Sequence, residues 1–373
     1  MNLFHTFYHI WNYHMLQTKS YMASIHSMAD VTSQFPYRSE IVAENLKVPW
    51  AIDISEDGII YFTERVGNVR KIKDGLLLSE PIVSLESPFI SQGESGLMGL
   101  VLDPDFSENH YIYLMYTYKD NGTLYNRIVR FKEEDNILTG ETVIFDKIPG
   151  ASTHNGGRIK IGPDRKLYIT TGDANNIELP QDRSNLGGKI LRIELDGSIP
   201  IDNPFPDSPI YSLGFRNPQG LAWNSDTIMY ASEHGELAQD ELNVIIPGGN
   251  YGWPLYAGNE GSNSGDFQKP LVSSGTETWA PSGLAFITQG PWTGQLLAAA
   301  LRGSRLIAVS LNEDGTEAES VNSWLYGRYG RLRDVFQAND GSIYLLTSNT
   351  DARGLPQSND DKIIRLIPAD KKF

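Results

Sequence analysis

The chain has 373 residues and a formal net charge of -15, from 31 basic against 46 acidic side chains, which argues against a nucleic-acid or anionic-membrane surface. An anionic ligand therefore needs its own local cationic pocket. There is no cysteine, which excludes disulfides, thiolate metal sites and thiol nucleophiles while leaving the compartment open.

The first 34 residues, MNLFHTFYHIWNYHMLQTKSYMASIHSMADVTSQ, are aromatic and hold four of the seven histidines. Polar residues interrupt each apolar run, so residues 1–34 read as a disordered leader or a degenerate export segment rather than a working signal peptide. No later run of eighteen or more apolar residues offers a membrane span.

From Phe35 to Phe373 the chain reads as short β-type runs broken by Asp-Gly, Asn-Gly and Pro-Asp turns, with little helical periodicity. Six segments share one pattern: PWAIDISEDG, LMGLVLDPDF, GGRIKIGPDR, PQGLAWNSDT, PSGLAFITQG and LRDVFQANDG. Each has an apolar anchor (Ile52, Leu100, Ile159, Leu221, Leu284, Val335) followed five positions later by a polar turn residue, and the anchors are 48, 59, 62, 63 and 51 residues apart. That spacing suits one four-stranded blade per repeat, hence an all-β, six-bladed β-propeller. Runs such as IIYFTE, KLYITTGD and SIYLLTS supply each second strand, and pairing of EIVAE with KIIRLI closes the ring.

In a propeller the first strands line a central channel, so residues just before the anchors and just after the second strands collect at one mouth. Counting back from the anchors places Glu94, His154, Arg216, Asn217, Thr278, Arg331 and Arg333 there, with Asp173 and His234 arriving after second strands. Arg302 joins the same arginine group. So many arginines in an acidic protein suit a multiply anionic ligand held by bidentate contacts. The plain alternative is that they pair with acids such as Asp334 and Glu319. His154 and Asp173 lie at the two ends of one predicted hairpin, which brings a base and an orienting carboxylate together; a satisfied structural histidine is the competing reading. The segment SEHGELAQDELNVIIPGGNYGWPLYAG, residues 232–258, mixes carboxylates with glycine-rich turns, a ligand set suited to calcium or to an acidic surface loop.

The stretches LGFRNPQGLAW, HNGGRIKIGPDRKLYITTGD, EHGELAQDELNVI, GGNYGWP, GLMGLVLDPDF and RLRDV resemble the soluble quinoprotein glucose and aldose sugar dehydrogenases, the glucose/sorbosone dehydrogenase family. The resemblance runs in order over roughly residues 38–368 and implies a six-bladed propeller that binds pyrroloquinoline quinone (PQQ) and calcium. It makes His154 the base at the sugar's anomeric hydroxyl, Asp173 its orienter, and Arg216 and Asn217 the pair at the quinone oxygens. Thr278, Arg302, Arg331 and Arg333 match cofactor-carboxylate positions, and His234 and Asp240 match further pocket positions. The carbonyls of Gly235 and Glu236 match the cofactor's calcium site, while Glu241 and Tyr251 match a second, structural calcium site. Glu94 stands where relatives carry a substrate-contacting glutamine, so uronic acids are expected to be poor substrates.

The implied activity is PQQ-dependent oxidation of an aldose to its lactone, with electrons passed to an external acceptor. A periplasmic or extracellular monomer or homodimer is expected. Two alternatives remain at this stage: a calcium-dependent propeller lactonase, with metal on the channel axis, and a binding propeller without cofactor.

Overall fold

The computed structural model describes residues 35–258 and 267–369; the leader and its four histidines lie outside them. Six antiparallel sheets are arranged as successive blades, each starting with one of the anchor strands. Blade 1 runs from Pro49–Ile54, blade 2 from Leu97–Leu102, blade 3 from Ile159–Ile161, blade 4 from Pro218–Trp223, blade 5 from Pro281–Phe286 and blade 6 from Leu332–Gln337. Blade 6 is completed by Tyr37–Ala43, which pairs antiparallel with Ile363–Pro368, Glu40 facing Arg365. The ring is closed as the sequence predicts. The single helix among the described residues is the short turn Phe106–Asn109.

Second strands are buried on both faces because a neighbouring blade covers each side. Ile60–Glu64, Leu167–Thr171, Met229–Glu233 and Ile343–Thr347 are buried at every position. That is why they read as near-continuous apolar runs broken only by threonine or serine and, at the ends of two of them, by the buried glutamates Glu64 and Glu233. The outer strand of blade 5, Ala318–Trp324, is largely exposed and correspondingly polar.

The residue immediately before each anchor faces its counterparts across the axis. These positions hold Ala51, Gly99, Arg158, Gly220, Gly283 and Asp334. Only two of the six are large, and they belong to opposite blades. Arg158 Nη1 and Asp334 Oδ2 meet at 2.7 Å, with side chains 1% and 2% exposed. The glycines make the room: a Cβ on Gly283 would lie 1.8 Å from Asp334 Oδ1. Arg158 Nε also donates to the Gln219 carbonyl at 2.9 Å, and its guanidinium lies 4.3 Å from the Trp50 ring centroid. The channel is therefore plugged by an ion pair, and what lies above it is a cup rather than a pore.

Candidate active site

The cup is a cavity of about 1060 Å³ lined from all six blades. Glu94, His154, Arg216, Asn217, His234, Gly235, Glu236, Asp240, Thr278, Arg302, Arg331 and Arg333 all line it, and Asp173 stands directly behind His154. The sequence rule for the channel mouth thus assembled one site. Glu241 and Tyr251 do not line it: Glu241 opens the third strand of blade 4, directly after Asp240, and Tyr251 lies on the loop that follows that strand.

The two ends of the predicted hairpin meet. His154 Nδ1 and Asp173 Oδ1 are 2.8 Å apart, with Asp173 buried. Gly172 permits the crossing, because a Cβ there would lie 2.0 Å from the His154 carbonyl oxygen. His154 itself has a left-handed backbone (φ 56), and its N–H donates to Glu94 Oε2 at 3.1 Å. A carboxylate only accepts, so Nδ1 carries the hydrogen and Nε2 keeps its lone pair for a substrate proton.

Asp173 is itself fixed. Its Oδ1 accepts from the Asn175 N–H at 2.9 Å and its Oδ2 from the Trp253 indole N–H at 3.0 Å. The Arg216 guanidinium lies 5.5 Å from the Trp253 ring, so one tryptophan touches both the orienting carboxylate and the cavity arginine. Trp253→Phe keeps a ring beneath Arg216 but removes the indole donor. The expected result is a turnover loss of about fivefold, the worth of one hydrogen bond. Turnover equal to the parent's would show that the indole contact does not act on the dyad.

Arg216 Nη1 donates to the Gly235 carbonyl at 2.8 Å. Asn217 accepts the Gly156 N–H on Oδ1 at 2.9 Å, which fixes its amide and leaves the NH2 end as donor. Arg333 is buried and donates to Gln219 Oε1 at 2.8 Å, but its Nε is buried with no hydrogen-bond partner. Burial, with Arg331 and Arg65 nearby, pulls the Arg333 guanidinium down to about 9 against the opposing pull of Asp351. Burial alone would raise Asp351; Arg331 at 2.8 Å and Arg333 at 3.7 Å hold it below the usual carboxylate range. His234 is pushed down to about 3 by burial and then by Arg333 and Arg216, so it is neutral, with Nε2 donating to the Pro281 carbonyl at 3.0 Å. Asp240 is raised by burial, although N–H groups of Gly235, Trp279 and Ala280 all point at it. Thr278 Oγ1 donates to the Leu237 carbonyl at 2.5 Å.

The acids proposed as local partners of the arginines are not their partners. Asp334 is spent on Arg158, and Glu319 sits in the exposed outer strand of blade 5. Asp351 takes that role instead. Glu94 is also no bare carboxylate: its Oε1 lies 2.7 Å from Arg353, so its charge on the sugar side is offset. Sequence reading missed Arg65, Asp351, Arg353 and Trp253. Arg65 and Asp351 follow the second strands of blades 1 and 6, the same place that yielded Asp173 and His234, so the rule was available; Trp253 arrives on a long loop that no spacing rule reaches. With these additions six arginines face Glu94, Glu236, Asp240 and Asp351, a positive cup in an acidic protein.

Within blade 4, Glu233 ends the second strand and Glu241 opens the third, paired across the two strands and both buried. Burial raises both, Glu241 to about 7; the Glu241 charge adds to the rise of Glu233, and the Asp240 charge adds to that of Glu241. Asn243 Oδ1 and Gln239 Oε1 nearby are buried oxygens with no partner. The Tyr251 hydroxyl is already used, donating to the Val244 carbonyl at 2.6 Å and accepting from the Ile246 N–H at 3.0 Å.

The glucose/sorbosone dehydrogenase family model matches residues 46–357. The chain belongs to this family. Among family relatives, the aldose sugar dehydrogenase YliI of Escherichia coli is 32% identical over 338 residues, covering 83% of this chain and 90% of that protein. Quinoprotein glucose dehydrogenase B of Acinetobacter calcoaceticus is 32% identical over 302 residues, covering 69% of this chain and 63% of the relative. The PQQ-bound aldose sugar dehydrogenase of Streptomyces coelicolor superimposes with a TM-score of 0.81 at 37% identity, covering 89% of this chain and 98% of that one. Membership makes the chain an oxidoreductase acting on CH–OH groups, of the glucose and aldose sugar dehydrogenase type.

Proposed function

We propose that the protein is a PQQ- and calcium-dependent aldose sugar dehydrogenase that oxidises the anomeric hydroxyl of an aldose to the lactone and hands electrons to an external acceptor. The observation that carries this reading is one cavity in which an imidazole oriented by a buried carboxylate faces a ring of arginines. A trianionic planar cofactor suits that ring: Arg333 carries a buried, unpartnered Nε, and Arg302 has no acidic partner among the described residues. When bound, the quinone supplies the two-electron oxidant that no side chain can provide.

The chain's own part is acid–base and electrostatic. His154 Nε2 takes the proton from the anomeric hydroxyl, and Asp173 holds the resulting imidazolium. Arg216 and the Asn217 amide donate to oxygen on which negative charge develops, a preorganised role worth more in a partly enclosed cup than in water. Gly235 and Glu236 would offer carbonyls to calcium. The Gly235 oxygen is shared with Arg216, so cation and guanidinium compete for it. At the second site Glu241 and the orphaned oxygens of Asn243 and Gln239 fit a hard cation with oxygen ligands. A carboxylate pair held so far up by burial gains most from a divalent neighbour.

The lactonase alternative needs metal on the axis, where the Arg158–Asp334 pair stands. No helix among the described residues is long and apolar enough to cross a membrane. We place the enzyme in the periplasm or outside the cell, working as a monomer or homodimer.

Reconstitution tests the whole reading. Purified protein without cofactor is expected to show no dye-linked sugar oxidation, to gain it with PQQ plus calcium, and to lose it when a chelator is present during loading. Calcium alone should raise the melting temperature of the cofactor-free protein, by mass action on the folded state. Activity with nicotinamide cofactors alone, or lactone hydrolysis without quinone, would contradict the proposal.

A further inference from the structure

A second cavity, of about 800 Å³, adjoins the cup at the junction of blades 5 and 6. The two share Leu301, Arg302, Arg331 and Arg353 as a common wall, so one layer of side chains separates them. The second cavity carries five cationic side chains, adding Arg328 and Lys362, against one acid, Asp360. Three of the five are paired: Arg331 with Asp351, Arg353 with Glu94, Lys362 with Asp360. Arg302 and Arg328 have no acidic partner among the described residues. Arg328 is exposed and donates to the Ser39 hydroxyl at 3.0 Å, with its guanidinium 5.2 Å from the Tyr329 ring. Tyr329 and the fully exposed Leu355, 89% accessible, add apolar surface.

Position gives this cavity its meaning. It opens beside blade 6, while His154 belongs to blade 3 on the opposite side of the ring. A small molecule here is remote from His154, and the shared Arg353 stands between it and Glu94.

Building on the proposed dehydrogenase reading, we propose that this side cavity is the docking site for a small, multiply anionic electron acceptor. Each conversion of an aldose to its lactone releases two electrons and two protons. Two one-electron acceptors such as ferricyanide take the electrons, each becoming ferrocyanide, and the protons pass to buffer. The side cavity holds the anion against Arg302, Arg328 and Arg353, one side-chain layer from the arginine-lined end of the cup. Attraction of this kind is screened by salt, so acceptor kinetics steepen at low ionic strength.

The test uses a redox-inert trianion, hexacyanocobaltate(III), and the full-length protein. Calorimetric titration at low salt should show binding that Arg328→Glu weakens roughly tenfold, since a reversed charge repels where the parent attracts. Arg165→Glu, a surface change on blade 3 where the parent pairs with Asp105, serves as the control and should leave binding unaltered. In the loaded enzyme Arg328→Glu should lower kcat/KM for ferricyanide, raise it for the cationic acceptor hexaammineruthenium(III), and leave the KM for sugar unchanged. Equal hexacyanocobaltate affinity in parent and Arg328→Glu protein, or equal effects on the two acceptors, would overturn the proposal. Absence of sugar oxidation after loading would instead sink the dehydrogenase reading, while the calorimetric arm still reports on the cavity.

Discussion

His154→Gln is expected to lower turnover about a hundredfold to ten-thousandfold, the usual share of a general base in the transition state. Glutamine keeps roughly the shape of imidazole but offers no basic nitrogen at neutral pH. The cavity wall is otherwise undisturbed, because the position is held by its backbone: the His154 N–H still reaches Glu94, and its carbonyl still accepts from Ala174 at 3.1 Å. Cofactor absorbance and melting temperature should therefore match the parent. Asp173→Asn should cost less, since the base survives in a poorer orientation. Stopped-flow measurement of cofactor reduction by sugar separates this step from reoxidation. Near-normal reduction in His154→Gln would mean that another group takes the proton.

The second large effect concerns folding rather than chemistry. Asp334→Asn strips the charge from the plug and leaves Arg158 buried without its counter-charge. Breaking such a pair costs about 3–5 kcal/mol, because the surviving ion cannot recover its hydration. Burial already pulls the Arg158 guanidinium below its ordinary range, with Asp334 the charge that opposes this. Denaturant titration should show the loss, and the double variant Arg158→Met with Asp334→Leu should recover much of it. A single variant as stable as the parent would mean that water reaches the axis and the plug is not dry. The same variant should disturb the cup above, where Trp50 lies between Arg158 at 4.3 Å and Arg333 at 5.6 Å.

Much of this architecture was legible because a propeller repeats. The apolar anchor with a turn five residues on marks the innermost strand, and from that mark the channel mouth follows by counting. His154, Arg216, Asn217 and Arg333 were found in this way without any contact being known. What escaped depends on contacts that no count along the chain encodes. Asp351 neutralises Arg331 because the loop after Ile343–Thr347 folds inward, and Glu94 meets Arg353 across two blades. Trp253 reaches Asp173 from eighty residues away, on a loop whose course is set by packing against blades 3 and 4. The position before each anchor did print the plug in the sequence, as one arginine and one aspartate among small residues. Its meaning needed the ring, since only in the ring do blades 3 and 6 face each other.

Ring closure has a consequence for the order in which the protein comes into being. Tyr37–Ala43 leaves the ribosome well before its partner Ile363–Pro368, with five blades synthesised between the two. Throughout synthesis the early strand carries a row of open N–H and C=O groups and cannot satisfy them within its own blade. Such an edge is a ready template for another nascent chain. The polar faces of YRSEIVA, with Arg38, Ser39 and Glu40, make that wait tolerable by discouraging a stranger from pairing. The ring also makes the last blade a checkpoint: a chain truncated before Ile363 leaves blade 6 with two strands and the arginine-lined wall above it without support.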